Sequence, residues 1–141
     1  AIGCAQLEKL PSFVERRKHN FKRLYKKLEG CREQLILPET CENSDPSWFG
    51  FLLTCRENVE RNKVVSYIEE HGIQTRMLFA GNLTKHPCFN EMRKLGQGYR
   101  IVGKLTNTDR VMRDSFWIGV YPGMTQKKLD YMAEQLRVSV R

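Results

Sequence analysis

The chain has 141 residues, 40% of them hydrophobic, and a formal charge of +8. That length allows one hydrophobic core with little room for a second, and the apolar and aromatic content excludes a disordered polymer. The positive charge favours anionic partners such as phosphates, nucleic acid or acidic headgroups, and is silent about fold.

Residues 5–28 have helical character. Leu10, Val14, Phe21, Leu24 and Leu28 recur at helical spacing, with Phe13 beside them. Pro11 lacks an amide donor and is expected to kink this segment or start a new turn; Gly30 is the expected stop. The opposite face carries Arg16, Arg17, Lys18, Lys22, Arg23, Lys26 and Lys27. Such a stripe is ordinarily a solvated face, and its alternative is a basic nucleic-acid-binding module. "LILPET" reads as a short extended piece or loop, and "ENSDPS" as a turn cluster. "WFGFLLTC", residues 48–55, is apolar almost throughout and short enough for a buried strand. A helix is expected over 58–71, with Val59, Val64, Tyr67 and Ile68 inward and Gly72 ending it. "IQTRM" is a second strand.

The loop "FAGNLTKHPCF", residues 79–89, follows, then a short helix over 90–95. "GQGYRIVGK" is glycine-rich but lacks the spacing of a dinucleotide-binding turn. In "NTDRVMRDS", Asn107 or Thr108 is the expected cap of another short helix. "FWIGVY" is a third apolar strand. Pro122 and Gly123 turn the chain, and Thr125 caps a last helix whose Leu129, Met132, Ala133 and Leu136 face inward.

This order predicts an α+β fold: a small three-stranded, mainly antiparallel sheet covered by helices on one side. The third strand is expected between the first two, antiparallel to both. The chain reads as one domain, with 1–30 a long linking helix and 31–141 the sheet subdomain. It opens at Ala1 in mid-pattern, as the tail of a longer protein would. "AIGCAQL" lacks the features of a secretory signal, and no segment is long and apolar enough for a transmembrane helix.

Residue types for catalysis are sparse. Glu69 and Glu70 are adjacent and diverge on a helix; His19 and His71 sit among charges and at a helix end. The five cysteines, Cys4, Cys31, Cys41, Cys55 and Cys88, fit reduced thiols in a cytosolic protein rather than a disulfide or metal framework. Neither a catalytic residue nor a metal site is expected in this chain. The 79–89 loop offers more. Gly81 permits unusual backbone geometry. Asn82 presents a donor and an acceptor suited to a sugar hydroxyl or an amide, and Thr84 adds another such group. Arg76 and Lys85 suit a phosphate, and His86, preceding Pro87, is expected to be extended. Two readings stay open: a loop hydrogen-bonded to itself, or one facing a polar ligand, with Phe79 and Phe89 pinning it to the sheet. Asp109 and Arg110 likewise read as an exposed pair or as a ligand-facing cation.

Five segments carry a resemblance. "AIGCAQLEKLPSFVERRKHNFKRLYKKL", "WFGFLLT", "HGIQTRMLFAGNLTKHPCF", "LTNTDRVMRDSFWIGVYPGMT" and "LDYMAEQL" resemble the C-terminal part of the sugar-nucleotide aminotransferase and dehydratase family. These are fold-type I vitamin B6 enzymes, and the likeness is strongest to the branch of 3-dehydratases acting on CDP-4-keto-6-deoxyglucose. The resemblance implies the C-terminal small domain of that fold, with a large cofactor domain upstream. It implies pyridoxamine 5′-phosphate (PMP) or pyridoxal 5′-phosphate (PLP), and a [2Fe-2S] cluster bound outside this chain. It also implies a CDP-sugar substrate, a homodimer, an NADH-dependent iron-sulfur flavin reductase as electron donor, and O-antigen biosynthesis in the cytoplasm. Neither a nucleic-acid nor a membrane partner is implied. Within the branch a histidine upstream replaces the usual Schiff-base lysine; with that residue outside the chain, a PLP-dependent aminotransferase is the alternative. Carried onto this sequence, the resemblance puts Arg76, Asn82, Thr84 and His86 along the sugar-nucleotide cleft. Phe49 or Phe51 would lie near cofactor or sugar, and Arg110 would be an anchoring cation.

Overall fold

The computed structural model describes residues 2–141; residue 1 of the expected linking segment lies outside them. Helix α1 spans Ile2–Leu28 and includes Pro11. Pro11 forfeits the amide that would bond the Leu7 carbonyl. Leu7 is exposed, so water can satisfy that carbonyl and the helix continues. Only the second half of α1 packs down: Leu24 and Leu28 are fully buried, whereas Ile2, Leu7 and Leu10 are exposed. The expected inward role of Leu10 is therefore not realised in this chain. The helix tightens into a 3-10 turn at Glu29–Cys31.

Strand β1, Leu35–Ile36, is followed by β2, Gly50–Cys55. Helix α2 covers Arg61–Glu70, three residues later at its start than its apolar pattern predicts. Gly72 adopts φ +75. Its amide bonds Glu69 O at 3.0 Å and that of Ile73 bonds Ile68 O at 2.9 Å. That Schellman arrangement closes the helix, and buried Ile68 and Ile73 supply its apolar contact. Strand β3 is Thr75–Met77. Two 3-10 turns, Leu83–Lys85 and Pro87–Phe89, lead into α3, Asn90–Leu95. Helix α4, Thr106–Asp114, precedes β4, Ser115–Gly119, and α5, Gln126–Ser139, ends the fold. Neither Asn107 nor Thr108 caps α4; both lie inside it, with Leu105 at the cap position. Thr125 does cap α5, its hydroxyl accepting from the Lys128 amide at 3.3 Å.

The sheet has four strands, not three, in the order β1-β2-β4-β3, and every neighbouring pair is antiparallel. β4 lies between β2 and β3, as expected. The additional strand is the two-residue edge β1, pairing Leu35 with Cys55 and Ile36 with Thr54. It falls in "LILPET", read from sequence as a short extended piece or loop; two residues leave no alternation to count it as a strand of the sheet.

Register separates the two faces. Phe51 pairs with Ile118, Leu53 with Phe116, and Thr75 with Ile118. These side chains point into a core completed by Leu24 and Leu28 of α1, Val64 and Ile68 of α2, and Leu129, Ala133 and Leu136 of α5. Phe21 packs on Phe51 with ring centroids 4.7 Å apart. Cys31 and Cys55 are buried in this core, and burial pushes the Cys55 thiol up to about 11. On the other face Leu52 and Arg76 both pair with Trp117. α4 approaches β2 and β4, and Leu52 and Trp117 on that face are only half-buried.

Candidate functional site

The 79–89 loop is built against α4. Gly81 has φ +60, and a Cβ there would lie 2.5 Å from Met112 Cγ. Both the left-handed backbone and the close approach demand glycine. The next residue, Asn82, is only 2% exposed. Its Oδ1 accepts from the Thr84 amide at 3.1 Å and from Thr84 Oγ1 at 2.6 Å, and its Nδ2 donates to Asp109 Oδ1 at 2.6 Å. Lys85 Nζ reaches the second Asp109 oxygen at 2.9 Å. These two partners, Asn82 first, hold the Asp109 carboxyl below the usual carboxylate range. Arg93 donates to the carbonyls of Thr84 and His86, and His86 Nε2 lies 2.5 Å from Ala80 O.

Asn82, Thr84 and His86 are thus brought together, and they are engaged with the loop itself. Asn82 shapes the loop from within, whereas Thr84 is half-exposed beside Leu83 and Phe89. Phe79 does not pin the loop to the sheet: it is 81% exposed, at φ +49. Phe89 is half-buried, and polar contacts from Asn82 and Lys85 anchor the segment to α4. A loop's polar residues read alike in sequence whether they point inward or outward, so spacing could not reveal this.

The open sheet face gathers a second group. Phe49 stands edge-on to Trp117, centroids 5.4 Å apart. With Leu52, Leu78 and Phe79 they line a recess of about 330 Å³. Arg76 is exposed beside Trp117 in register, and its one side-chain bond is an Nη1 donation to Thr75 O at 3.1 Å. Phe51, offered as an alternative to Phe49, points the other way and is a core residue. Trp117 was not singled out from sequence, although alternation in "FWIGVY" puts it opposite Phe116 and Ile118. Arg110, in the first turns of α4 beside Asp109, is exposed and makes no ion pair or side-chain hydrogen bond among the described residues.

The basic stripe of α1 is partly neutralised. Lys18 pairs with Asp45 at 2.5 Å, and Arg23 and Lys27 both pair with Asp130, at 3.0 and 3.2 Å. These partners come from distant parts of the chain, so the stripe docks α1 as well as facing solvent.

The described residues do not fit a cofactor cradle. The four buried polar residues, Asn20, Thr75, Asn82 and Ser115, are bonded within the chain. The buried Nε atoms of Arg17 and Arg61 lack partners, but they lie on different helices, beside Ser47 and Met77, and make no joint anion site. No group of three or more potential metal ligands occurs among the described residues, so they offer no ligand set for an iron-sulfur cluster. What the arrangement can do is present the Arg76 cation beside exposed aromatic surface, with the Arg110 cation on α4, to a polar, anionic molecule.

Comparison with known proteins bears on the family and the fold. Residues 1–137 match the model of the DegT/DnrJ/EryC1/StrS aminotransferase family. The chain is 50% identical over 137 residues to the lipopolysaccharide biosynthesis protein RfbH of Salmonella typhimurium, covering 96% of this chain and 30% of that protein. It is 41% identical over 138 residues to the dTDP-4-dehydro-2,6-dideoxy-D-glucose 3-dehydratase of Saccharopolyspora spinosa, covering 96% of this chain and 29% of that one. It therefore spans about 30% of the length of these relatives. Among solved structures, GDP-4-keto-6-deoxymannose-3-dehydratase with a trapped PLP-glutamate geminal diamine superposes with a TM-score of 0.78 at 26% identity, over 96% of this chain and 34% of that one. The aminotransferase TlmJ of Streptoalloteichus hindustanus has the same fold, with a TM-score of 0.79 at 19% identity, over 98% of this chain and 34% of that one. Fold and sequence agree: the chain belongs to the DegT/DnrJ/EryC1/StrS aminotransferase family.

Proposed function

We propose that this chain is the small domain of a PMP-dependent sugar-nucleotide 3-dehydratase, and that its open sheet face closes over the substrate. The observation that carries the reading is the 41% identity, over 96% of the chain, to a relative named as a sugar-nucleotide 3-dehydratase. The whole protein would remove the C3 hydroxyl of CDP-4-keto-6-deoxyglucose in O-antigen biosynthesis in the cytoplasm. It would work as a homodimer, with electrons reaching a [2Fe-2S] cluster from an NADH-dependent iron-sulfur flavin reductase. Both cofactors would be bound outside this chain.

The part played by this chain follows from its own residues. Arg110 is an uncompensated guanidinium, suited to the planar, forked recognition of a diphosphate. Arg76 is a second donor, beside the aromatic recess of Phe49 and Trp117. Flat apolar rings suit the hydrophobic face of a deoxysugar or base and exclude water from it. Asn82, Thr84 and His86 hold the loop that forms the edge of this wall. Fixing the sugar in one orientation raises the rate without chemistry from this domain.

The test uses the full-length protein, PMP, the reductase and CDP-4-keto-6-deoxyglucose. Proton NMR of the product is expected to show a methylene at C3. A product that keeps its C3 hydroxyl and gains an amino group from glutamate would instead establish the aminotransferase alternative. Parallel reactions with GDP- and dTDP-linked substrates report the nucleotide.

A further inference from the structure

The loop and α4 meet through the Asp109 carboxylate and through Met112, whose sulfur lies 3.4 Å from the Asn82 amide nitrogen. Asp109 Oδ1 takes the Asn82 amide at 2.6 Å and Oδ2 takes Lys85 Nζ at 2.9 Å. Asn82 uses its own oxygen to hold Thr84 twice, by backbone and by hydroxyl. Gly81 presses on Met112, one turn further along α4. The loop can therefore keep this shape only while α4 keeps its place. There is also a charge consequence. Of the adjacent cations Lys85 and Arg110, the first is paired with Asp109 and the second is not. A lysine left unpaired here would be a second point charge competing for the same anion.

We propose that Asp109 is a positioning residue for the sugar-nucleotide site: it locks the 79–86 loop to α4 through Asn82, and by pairing Lys85 it leaves Arg110 as the cation that receives the substrate's diphosphate. The proposal rests on the substrate reading above and adds a residue that the sequence treated only as Arg110's neighbour. Asp109 touches no substrate in this scheme. It acts through the geometry of Asn82 and Arg110.

Steady-state kinetics on the full-length holoenzyme separate the possibilities, with Asp109→Ala, Asp109→Asn and Arg110→Ala compared. Asp109→Asn keeps an oxygen for the Asn82 amide and loses the charge. Asp109→Ala is expected to raise KM for the sugar nucleotide roughly tenfold or more, with a smaller change in kcat. Asp109→Asn is expected to recover a substantial part of that loss. Hydrogen exchange provides a reading independent of turnover: the Thr84 amide should lose protection in Asp109→Ala and keep much of it in Asp109→Asn, with the core amides of β2 and β4 unchanged in both. The inference is overturned by unchanged KM and unchanged Thr84 protection in Asp109→Ala. It is equally overturned if KM in both Asp109 variants merely follows loss of thermal stability. Arg110→Ala distinguishes this failure from failure of the substrate reading. Raised KM in Arg110→Ala with silent Asp109 variants sinks only the positioning role, whereas unchanged KM in Arg110→Ala removes the diphosphate contact on which it rests.

Discussion

Asn82 is a polar side chain that loop composition alone would leave in solvent, and the fold buries it. A buried amide must be bonded, because an unmet donor or acceptor costs about 1–3 kcal/mol. The partners here are local, Thr84 and Asp109, so the cost is met within the loop and α4. Two consequences follow at this scale. Gly81→Ala forces a side chain into a left-handed residue and against Met112; denaturant unfolding should show a loss of about 1–3 kcal/mol, and wild-type stability would contradict the packing described. Asp109 has a folded pKa below its unfolded value, through Asn82 first and Lys85 second, with Arg113 adding a weaker pull. Its contribution is therefore complete above the ordinary carboxylate range and is lost as pH falls through the lowered value. Thr84 amide protection should fade in that acid window while core amides persist. Fading instead between neutral and alkaline pH would assign the lock to another group. The sequence offered the types of residue in this loop. It could not offer their direction, because inward and outward polar side chains share one spacing.

At the scale of elements, legibility depended on length and on a two-sided environment. α5 was readable in full: Thr125 caps it and Leu129, Met132, Ala133 and Leu136 are its buried face. The place of β4 between β2 and β3 was readable from element order. β1 was readable only as an extended piece or loop, because two residues carry no alternation, and the first half of α1 misled at Leu10, which is exposed. The contrast gives a prediction. Leu136→Ala opens a cavity in a filled core and should cost about 2–5 kcal/mol in chemical denaturation of this chain. Leu10→Ala, on the bare part of α1, should stay within about 0.5 kcal/mol of wild type. Equal losses at the two positions would mean that the helix is packed differently from this structure. The expectations for α4 failed at one end for a plain reason: Asn107 and Thr108 are good caps by type, but α4 starts before them and uses no side-chain cap.

For the whole molecule, the question is what a charge of +8 serves. A nucleic-acid module would leave its basic stripe open to phosphates. Here Lys18, Arg23 and Lys27 of that stripe are drawn into ion pairs with Asp45 and Asp130. The cations of the candidate site, Arg76 and Arg110, lie instead on β3 and on α4. Gel retardation of a random duplex at low and moderate salt should show no specific shift; a tight complex whose affinity falls steeply with salt would restore the nucleic-acid reading. On the function proposed above, the anion these cations meet is a sugar nucleotide. The most direct measurement follows the oxygen that the proposed reaction removes. The substrate, CDP-4-keto-6-deoxyglucose, carries a heavy-oxygen label at C3 and is incubated with the full-length protein and PMP. The account predicts that the label appears in solvent water, at a rate reduced by Arg110→Ala. Complete retention of the label at C3 in a product aminated at C4 would contradict it.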